Sequence, residues 1–220
     1  MKNKCINIII YDWDGTCVPR YDWGQSWNTI LKNENLFKML FWFFLLFLAF
    51  TLYKLKLISV KTRWHLSTRW LNKERLKIYS IKPRERPLFD WVKESVAEDK
   101  KIADLVICLT ESPQPLMVGF KERVGFDRII GTPVCPEKFW KIQGQPLKKN
   151  EKFSLLFKEY GHDINIIKVY TDSENDFPLC KIAEKSVFVN HKNGKRFYFS
   201  NKQAQPFFNK NIKLKQLFES

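Results

Sequence analysis

The feature with the largest consequence for the fold is a pair of aspartates directly after an apolar run near the amino terminus. The run covers residues 5–11 (CINIIIY), and residues 12–16 (DWDGT) follow it. Such a run is typical of a buried strand, and open α/β sheets place their sites outside the carboxyl ends of their strands. Because carboxylates are costly inside a protein unless they are paired or bind a metal, the pattern predicts a chemical site at this strand end.

The spacing of the two aspartates gives each a separate task. Asp12 and Asp14 lie two residues apart, so on an extended backbone both side chains point the same way. Asp12 could then attack phosphorus while Asp14 exchanges a proton, and Gly15 allows a sharp turn. An ordinary Asp/Gly turn would also explain the motif taken alone. A calcium loop starting at Asp12 fails, because it would need glycine at Cys17 and glutamate at Trp23.

Size and composition narrow the class of protein. A chain of 220 residues with 45% hydrophobic content can form one domain with a full core and a sizeable insertion. The five cysteines are widely spaced without a C-x-x-C pattern, which is typical of reduced residues in a cytosolic protein. The three histidines have no ligand-like spacing, and the eight glycines are dispersed. We therefore expect neither a zinc site nor a nucleotide-binding P-loop.

The charge points to an acidic partner. The formal net charge is +15, and residues 54–86 contain eleven Lys and Arg residues but only two glutamates. This stretch follows directly on the most apolar segment of the chain, an arrangement typical of an anchor on an anionic membrane surface. We therefore expect the partner to be an anionic lipid surface and not nucleic acid.

The apolar segment is residues 39–53 (MLFWFFLLFLAFTLY), which contain no charge. Fifteen helical residues reach about 22 Å, which is short of the roughly 30 Å of bilayer hydrocarbon. A single crossing would also separate Asp12 from the later motifs, and a cleaved signal peptide would discard Asp12. We therefore expect an in-plane or re-entrant helix, or a membrane-facing cap, around residues 37–57, with the whole catalytic body at the cytoplasmic face. Burial of this helix in a soluble cap is the alternative.

Two later apolar runs also end in polar residues. Residues 104–109 are followed by Thr110, Glu111 and Ser112, and a helix is expected over residues 113–122. Residues 164–170 are followed by residues 171–176 (TDSEND), whose acidic side chains suit an oxygen-loving cation such as Mg²⁺.

Other segments complete the expected sheet. A helix that ends before Gly161 contains Lys152 near its start, and Lys148 and Lys149 lie just before it. Residues 186–190 are predicted to form a fourth short strand. Strands separated by helix-length segments predict a parallel, right-handed α/β sheet of the Rossmann-like type, with a helical membrane-associated cap inserted after the first strand. We expect the core to comprise residues 1–20 and 88–200, the cap residues 21–87, and a basic tail residues 201–220.

The ordered motifs resemble the haloacid dehalogenase superfamily of aspartate-nucleophile phosphatases. They are D-x-D-G-T at residues 12–16, Thr110, a lysine at a helix start, and D-S-x-x-D at residues 172–176. Residues 109–116 (LTESPQPL) and 170–179 (YTDSENDFPL) are most similar to the phosphatidylglycerophosphatase C family, whose members carry an apolar insertion after the first motif. The similarity is weak through the insertion and absent after about residue 200.

The resemblance implies a role for each motif residue. Asp12 would be the nucleophile, and Asp14 the acid/base whose backbone carbonyl also contacts Mg²⁺. Phosphate would be bound by Thr110, Glu111, Ser112 and Lys152, although Lys148 or Lys149 could take the place of Lys152. The ligands of Mg²⁺ would be Asp12, Asp14 and Asp172, supported by Ser173 and Asp176. This division suits phosphoryl transfer, in which the protein positions groups and neutralises charge.

The sequence therefore predicts a Mg²⁺-dependent phosphatase that converts phosphatidylglycerophosphate to phosphatidylglycerol. Two alternatives stay open. One is a phosphatase of a small soluble phosphomonoester, similar to phosphoserine phosphatase, and the other is a non-catalytic membrane adaptor. The acyl-chain preference and the oligomeric state do not follow from these patterns.

Overall fold

A six-stranded sheet forms the centre of the computed structural model, which describes residues 5–19, 36–68, 87–117, 119–135, 138–209 and 214–219. The strands are β1 (Ile6–Tyr11), β2 (Leu105–Pro113), β3 (Arg128–Thr132), β4 (Val134–Cys135), β5 (Lys138–Ile142), β6 (Ile164–Thr171), β7 (Lys185–Val189) and β8 (Arg196–Ser200). Their order in the sheet is β3-β2-β1-β6-β7-β8, and β4 pairs with β5 in a separate hairpin. All neighbours in the sheet are parallel except β7 and β8.

Helices connect and cover these strands. They are α1 (Leu36–Lys54), α2 (Val60–Thr68), α3 (Val92–Asp99), α4 (Gln114–Met117), α5 (Phe120–Val124), α6 (Asn150–Tyr160), α7 (Phe177–Cys180), α8 (Asn201–Asn209) and α9 (Leu214–Glu219). A short 3₁₀ helix, Glu174–Asp176, precedes α7.

Strand β1 is apolar along its length because both of its faces are covered. Ile8 and Ile10 belong to the buried cluster that contains Leu156 of α6. Ile9 and Tyr11 belong to the cluster on the other face, which includes residues of α3. Burial on both faces is what makes a parallel strand a near-continuous hydrophobic run.

The structure confirms the predicted Rossmann-like, mostly parallel α/β sheet. The four apolar runs form β1, β2, β6 and β7, and the helix expected before Gly161 is α6. Strands β3 and β8 were not predicted. Residues 201–220, which were expected to be a basic tail, include α8 and α9, and Ala204 and Leu214 of these helices are buried.

The single helix expected over residues 113–122 was wrong. Strand β2 continues to Pro113, which pairs with Thr132 of β3, and two short helices, α4 and α5, follow. The residue before a proline is biased towards extended backbone. Proline at position 113 therefore favours the longer strand at least as much as a helix start.

The insertion after β1 is described in part. Leu46 and Ala49 of α1 are buried, and α1 packs against α2. Helix α2 contacts β5, where the backbone N–H of Ile142 donates a hydrogen bond to Nε2 of His65 at 3.3 Å. Residues 69–86, which carry much of the basic stretch, lie outside the described residues.

Within the described part of the chain, no helix is both long enough and apolar enough to cross a membrane.

A buried ionic network supports the sheet on the face covered by α3. The carboxylate of Asp99 accepts a hydrogen bond from the hydroxyl of Tyr11 at 2.5 Å and pairs with Nζ of Lys168 at 2.5 Å. The ring of Tyr11 stacks on that of Tyr170, with centroids 4.1 Å apart. Burial, together with Tyr170 and Asp99, raises the pKa of Tyr11 far above its ordinary value, so this phenol stays protonated and donates. The network joins β1, β6 and α3.

We predict that Lys168→Met destabilises the fold by about 3 kcal/mol or more, because it leaves the buried Asp99 carboxylate without its cation. The control is Lys101→Met, which removes an exposed ion pair with Glu98 and should cost less than about 1 kcal/mol. Urea unfolding of both variants measures the difference. Equal losses would show that the network adds nothing beyond an ordinary surface pair.

Candidate active site

The side chain of Lys152 lies between two carboxylates at the carboxyl-terminal edge of the sheet. Its Nζ is 2.8 Å from Oδ1 of Asp12 and 2.8 Å from Oδ1 of Asp176. Lys152 and Leu156 are the buried residues of α6, and the four-residue spacing places them on the same face of the helix. Burial alone would lower the pKa of Lys152, but Asp12 and Asp176 outweigh burial and raise that pKa above its ordinary value. The lysine is therefore a fixed positive charge beside Asp12.

Asp12 is positioned by the strand that precedes it. Its backbone N–H donates to the carbonyl of Tyr170 at 2.9 Å, which extends the pairing of β1 with β6. Burial raises the pKa of the Asp12 carboxyl to about 8; Lys152 opposes this shift, while Asp176 and Asp172 add to it. Additional positive charge at the site would therefore favour the ionised carboxylate that a nucleophile needs.

Asp14 is held by the end of β2. Its Oδ2 accepts a hydrogen bond from the Ser112 hydroxyl at 2.6 Å, and the Ser112 N–H donates to Oγ1 of the buried Thr110 at 3.1 Å. The carbonyl of Glu111 accepts from the Thr132 hydroxyl at 2.5 Å. These contacts bring Asp14, Thr110 and Ser112 together at the end of β2. The Ser112 hydroxyl is directed to Asp14, so in this structure it orients the second carboxylate.

The carboxylate of Asp172 occupies the space that a Cβ at position 15 would fill. Gly15 has φ +86°, and a Cβ added there would lie 2.1 Å from Oδ2 of Asp172. A positive φ of this size is strained for any other residue. Glycine is therefore required at position 15 for two reasons: the turn has a positive φ, and the Asp172 carboxylate approaches too closely for a Cβ.

The donor atoms at this edge fit Mg²⁺. The described residues contain no group of three or more His, Cys, Asp or Glu side chains arranged to hold a metal ion. Mg²⁺ does not need one, because it keeps several waters and is usually bound through one or two carboxylates. Asp12 and Asp172 would supply two carboxylates, and Asp14 would add its backbone carbonyl. All three are oxygen ligands, the kind that Mg²⁺ prefers.

Three residues in or beside the motifs were given no role by the motif reasoning. The Thr171 hydroxyl donates to Oδ2 of Asp176 at 2.8 Å and so holds the carboxylate that pairs with Lys152. The Oγ1 of Thr16 is buried without a hydrogen-bond partner among the described residues. His191 Nδ1 lies 4.0 Å from Oδ2 of Asp172. His191 follows the carboxyl end of β7, so the rule that sites lie at strand ends could have found it.

The remaining predicted residues lie around this centre. Ser173 accepts a hydrogen bond from the N–H of Asn175 at 3.2 Å and caps the 3₁₀ helix that carries Asp176. Of the three candidate lysines, Lys152 is the one beside Asp12, whereas Lys149 is exposed and Lys148 is half-buried.

Comparison with known families agrees with this geometry. A family model described as haloacid dehalogenase-like hydrolase matches residues 9–181, a range that contains Asp12, Lys152 and Asp176. The chain belongs to this hydrolase family. No match was found among curated proteins.

Solved structures with the fold of this haloacid dehalogenase-like hydrolase share little sequence with it. A protein of unknown function from Bordetella pertussis Tohama I is 16% identical, with a TM-score of 0.68 over 85% of this chain and 91% of that one. A phosphoserine phosphohydrolase-like protein from Francisella tularensis is 17% identical, with a TM-score of 0.58 over 86% and 90% of the two chains. A phosphoserine phosphatase, solved as a phospho-aspartyl intermediate analogue, is 15% identical, with a TM-score of 0.53 over 93% and 99%. These similarities show the fold.

We predict that Lys152→Met lowers the turnover of a phosphate ester by about a hundredfold or more, because it removes the fixed positive charge beside Asp12. The matched control is Lys149→Met, in the same segment but exposed, which should leave the rate within a factor of about two. Initial rates of phosphate release measure both. A rate unchanged in Lys152→Met would exclude this lysine as the phosphate contact.

We predict that Gly15→Ala abolishes turnover, because the new Cβ displaces the Asp172 carboxylate. Gly144→Ala is the control, since Gly144 has φ +88° but open space around its Cα. Both variants should lose about 1–2 kcal/mol of stability from the left-handed backbone. Only Gly15→Ala should lose activity, as measured beside thermal unfolding. Full activity in Gly15→Ala would contradict the close packing of Asp172.

Proposed function

We propose that this hydrolase cleaves phosphate monoesters through an aspartyl-phosphate on Asp12, and that its substrate is phosphatidylglycerophosphate. The observation that carries the chemistry is the position of Asp12, which pairs with Lys152 at 2.8 Å and lies two residues from Asp14, itself held by Ser112. A nucleophile, a proton-transfer group and a fixed cation thus meet at one sheet edge.

In the first step an oxygen of the Asp12 carboxylate attacks phosphorus, and the bond from phosphorus to the alcohol oxygen breaks. Asp14, as the carboxylic acid, gives its proton to the leaving alkoxide. Lys152 neutralises the negative charge that spreads over the phosphoryl oxygens, and the Thr110 hydroxyl would donate to one of them. The products of this step are the free alcohol, the Asp12 phosphate and the Asp14 carboxylate.

In the second step Asp14 takes a proton from a water that attacks the same phosphorus. The bond from phosphorus to Asp12 breaks, which releases inorganic phosphate and restores both carboxyl groups. Mg²⁺ bound by Asp12, Asp172 and the Asp14 carbonyl would supply positive charge that favours ionised Asp12 and neutralises the phosphate. Asp176 keeps Lys152 directed at Asp12.

The lipid substrate is supported by two features of this chain. Residues 109–116 and 170–179 resemble the phosphatidylglycerophosphatase C family, and the insertion joins an apolar helix to a strongly basic stretch. An anionic phospholipid would be attracted by that basic stretch. We propose that the enzyme works at the cytoplasmic face of the inner membrane, where it would release phosphatidylglycerol.

A small soluble phosphomonoester is the second candidate substrate. Phosphoserine phosphatase is among the proteins of the same fold, and the site chemistry is the same for either ester. Hydrolysis of phosphoserine at a rate that does not change when lipid is added would favour this candidate. A non-catalytic adaptor on the same scaffold is a weaker alternative, since every expected catalytic residue type is present.

We predict that the purified protein releases phosphate from phosphatidylglycerophosphate in mixed micelles containing Mg²⁺, and that Asp12→Asn lowers this rate by at least about a thousandfold. Asp12→Asn should still fold, because Lys152 keeps its pair with Asp176. The control is Asp163→Asn, an exposed aspartate just before β6 at the opposite edge of the sheet, which should keep the wild-type rate.

Two results would contradict the proposal. Release that persists in Asp12→Asn would exclude the aspartyl-phosphate route. No release by the wild-type protein from any phosphomonoester with Mg²⁺ present would favour the adaptor.

A further inference from the structure

Helix α1 exposes most of its apolar side chains. Ten of the thirteen exposed large hydrophobic residues in the described part of the chain lie in α1 or directly after it. They include Phe44, with 60% of its surface exposed, and Phe47, with 72%. Contiguous apolar patches larger than a few hundred Å² are rare on soluble monomers and mark an interaction surface.

The exposed face is broad. At about 100° per residue, the exposed large side chains from Phe37 to Phe50 cover an arc of about 180° around the helix axis. The buried positions Leu46 and Ala49 lie on the opposite side, where α1 packs against α2. A single partner helix covers a narrower seam, whereas a fluid apolar medium can cover the whole arc.

Positive charge follows directly on this face. Lys54 and Lys56 are exposed at the end of α1 and in the turn after it. Arg63 of α2 lies over the rings of Phe50 and Tyr53, with its guanidinium carbon 5.2 and 4.7 Å from their centroids. An apolar arc bordered by cations matches the boundary between acyl chains and anionic head groups. A lipid surface therefore fits both the width and the charge of this face.

The hairpin of α1 and α2 is attached beside the active site. His65 of α2 accepts the hydrogen bond from Ile142 at the end of the β4–β5 hairpin. That hairpin begins just after Thr132, at the carboxyl end of β3, and Thr132 donates to the carbonyl of Glu111. All parallel strands end at the same edge, so the insertion is joined to the edge that carries Asp12.

We infer that α1 lies flat in the interfacial layer of an anionic bilayer and holds the carboxyl-terminal edge of the sheet on the membrane side. The surface itself is independent of the reaction, but the delivery of a lipid phosphate to Asp12 rests on the proposed function. An ester anchored in the bilayer would then reach the site without leaving the membrane.

The test compares two pairs of changes in the full-length protein. Phe44→Ser with Phe47→Ser removes two apolar anchors from α1. Ile102→Ser with Tyr198→Ser is the matched control, because these residues are 56% and 57% exposed but lie outside the insertion. Each protein is sedimented with vesicles of phosphatidylcholine alone or mixed with phosphatidylglycerol. We expect the α1 variant to lose vesicle affinity by about a hundredfold or more and the control to bind like wild type.

The dependence on lipid charge is the second readout. Wild-type binding should be tighter to vesicles with phosphatidylglycerol and should weaken with added salt. Equal vesicle binding by the α1 variant and wild type would overturn the inference. So would a wild-type dimer that the α1 variant abolishes without any change in vesicle binding, because the face would then belong to a second copy of the chain.

Activity assays separate the inference from the proposed function. Hydrolysis of p-nitrophenyl phosphate should be equal in the α1 variant and wild type, while release from vesicle-bound phosphatidylglycerophosphate should fall with binding. Vesicle binding without any phosphatase activity would support the surface and contradict the proposed function. Activity on both esters that is unchanged in the α1 variant would contradict the surface alone.

Discussion

The site depends on the ion pairs of the buried Lys152 ammonium group with Asp12 and Asp176. A lysine inside a protein is stable only beside compensating charge, and here Asp12 and Asp176 each approach its Nζ to 2.8 Å. The two carboxylates come from distant parts of the chain, one after β1 and one after β6, while the lysine comes from α6. The ion pairs therefore link three elements at the point where the reaction would occur. Thr171 strengthens this arrangement because its hydroxyl holds the second oxygen of Asp176.

The sheet order explains why Asp12 is central. From β1 the chain adds β2 and β3 on one side, and β6 and β7 are then added on the other side. Open α/β sheets bind ligands where the strand order reverses in this way. From the β2 side Ser112 contacts Asp14, and from the β6 side Asp176 pairs with the lysine that also pairs with Asp12. Gly15 lets the two sides approach, since its missing Cβ leaves room for the carboxylate of Asp172.

The insertion differs from the core in where its apolar side chains lie. The core buries its apolar residues on both faces of the sheet, whereas α1 leaves a broad apolar arc exposed and buries little more than Leu46 and Ala49 among its described side chains. Exposed apolar surface is unfavourable in water, and the free energy falls when a lipid or a partner covers that surface. The attachment of α2 to β5 through His65 joins this surface to the catalytic edge. The exposed apolar surface and the candidate active site are thus joined through one short hairpin.

The sequence by itself determined the parallel α/β fold, the four apolar strands and the strand-end positions of Asp12, Asp14, Thr110 and Asp172, because burial on both strand faces and polar residues at strand ends leave a local pattern. It left the choice among three lysines open, it gave no role to Thr171 or His191, and it did not predict strands β3 and β8. Only the tertiary structure decided these points. Lys152 is buried because it lies on the face that α6 turns to the sheet, whereas Lys148 and Lys149 precede this helix. Which hydroxyl meets which carboxylate depends on strand register. Both are set by contacts between residues far apart in the chain.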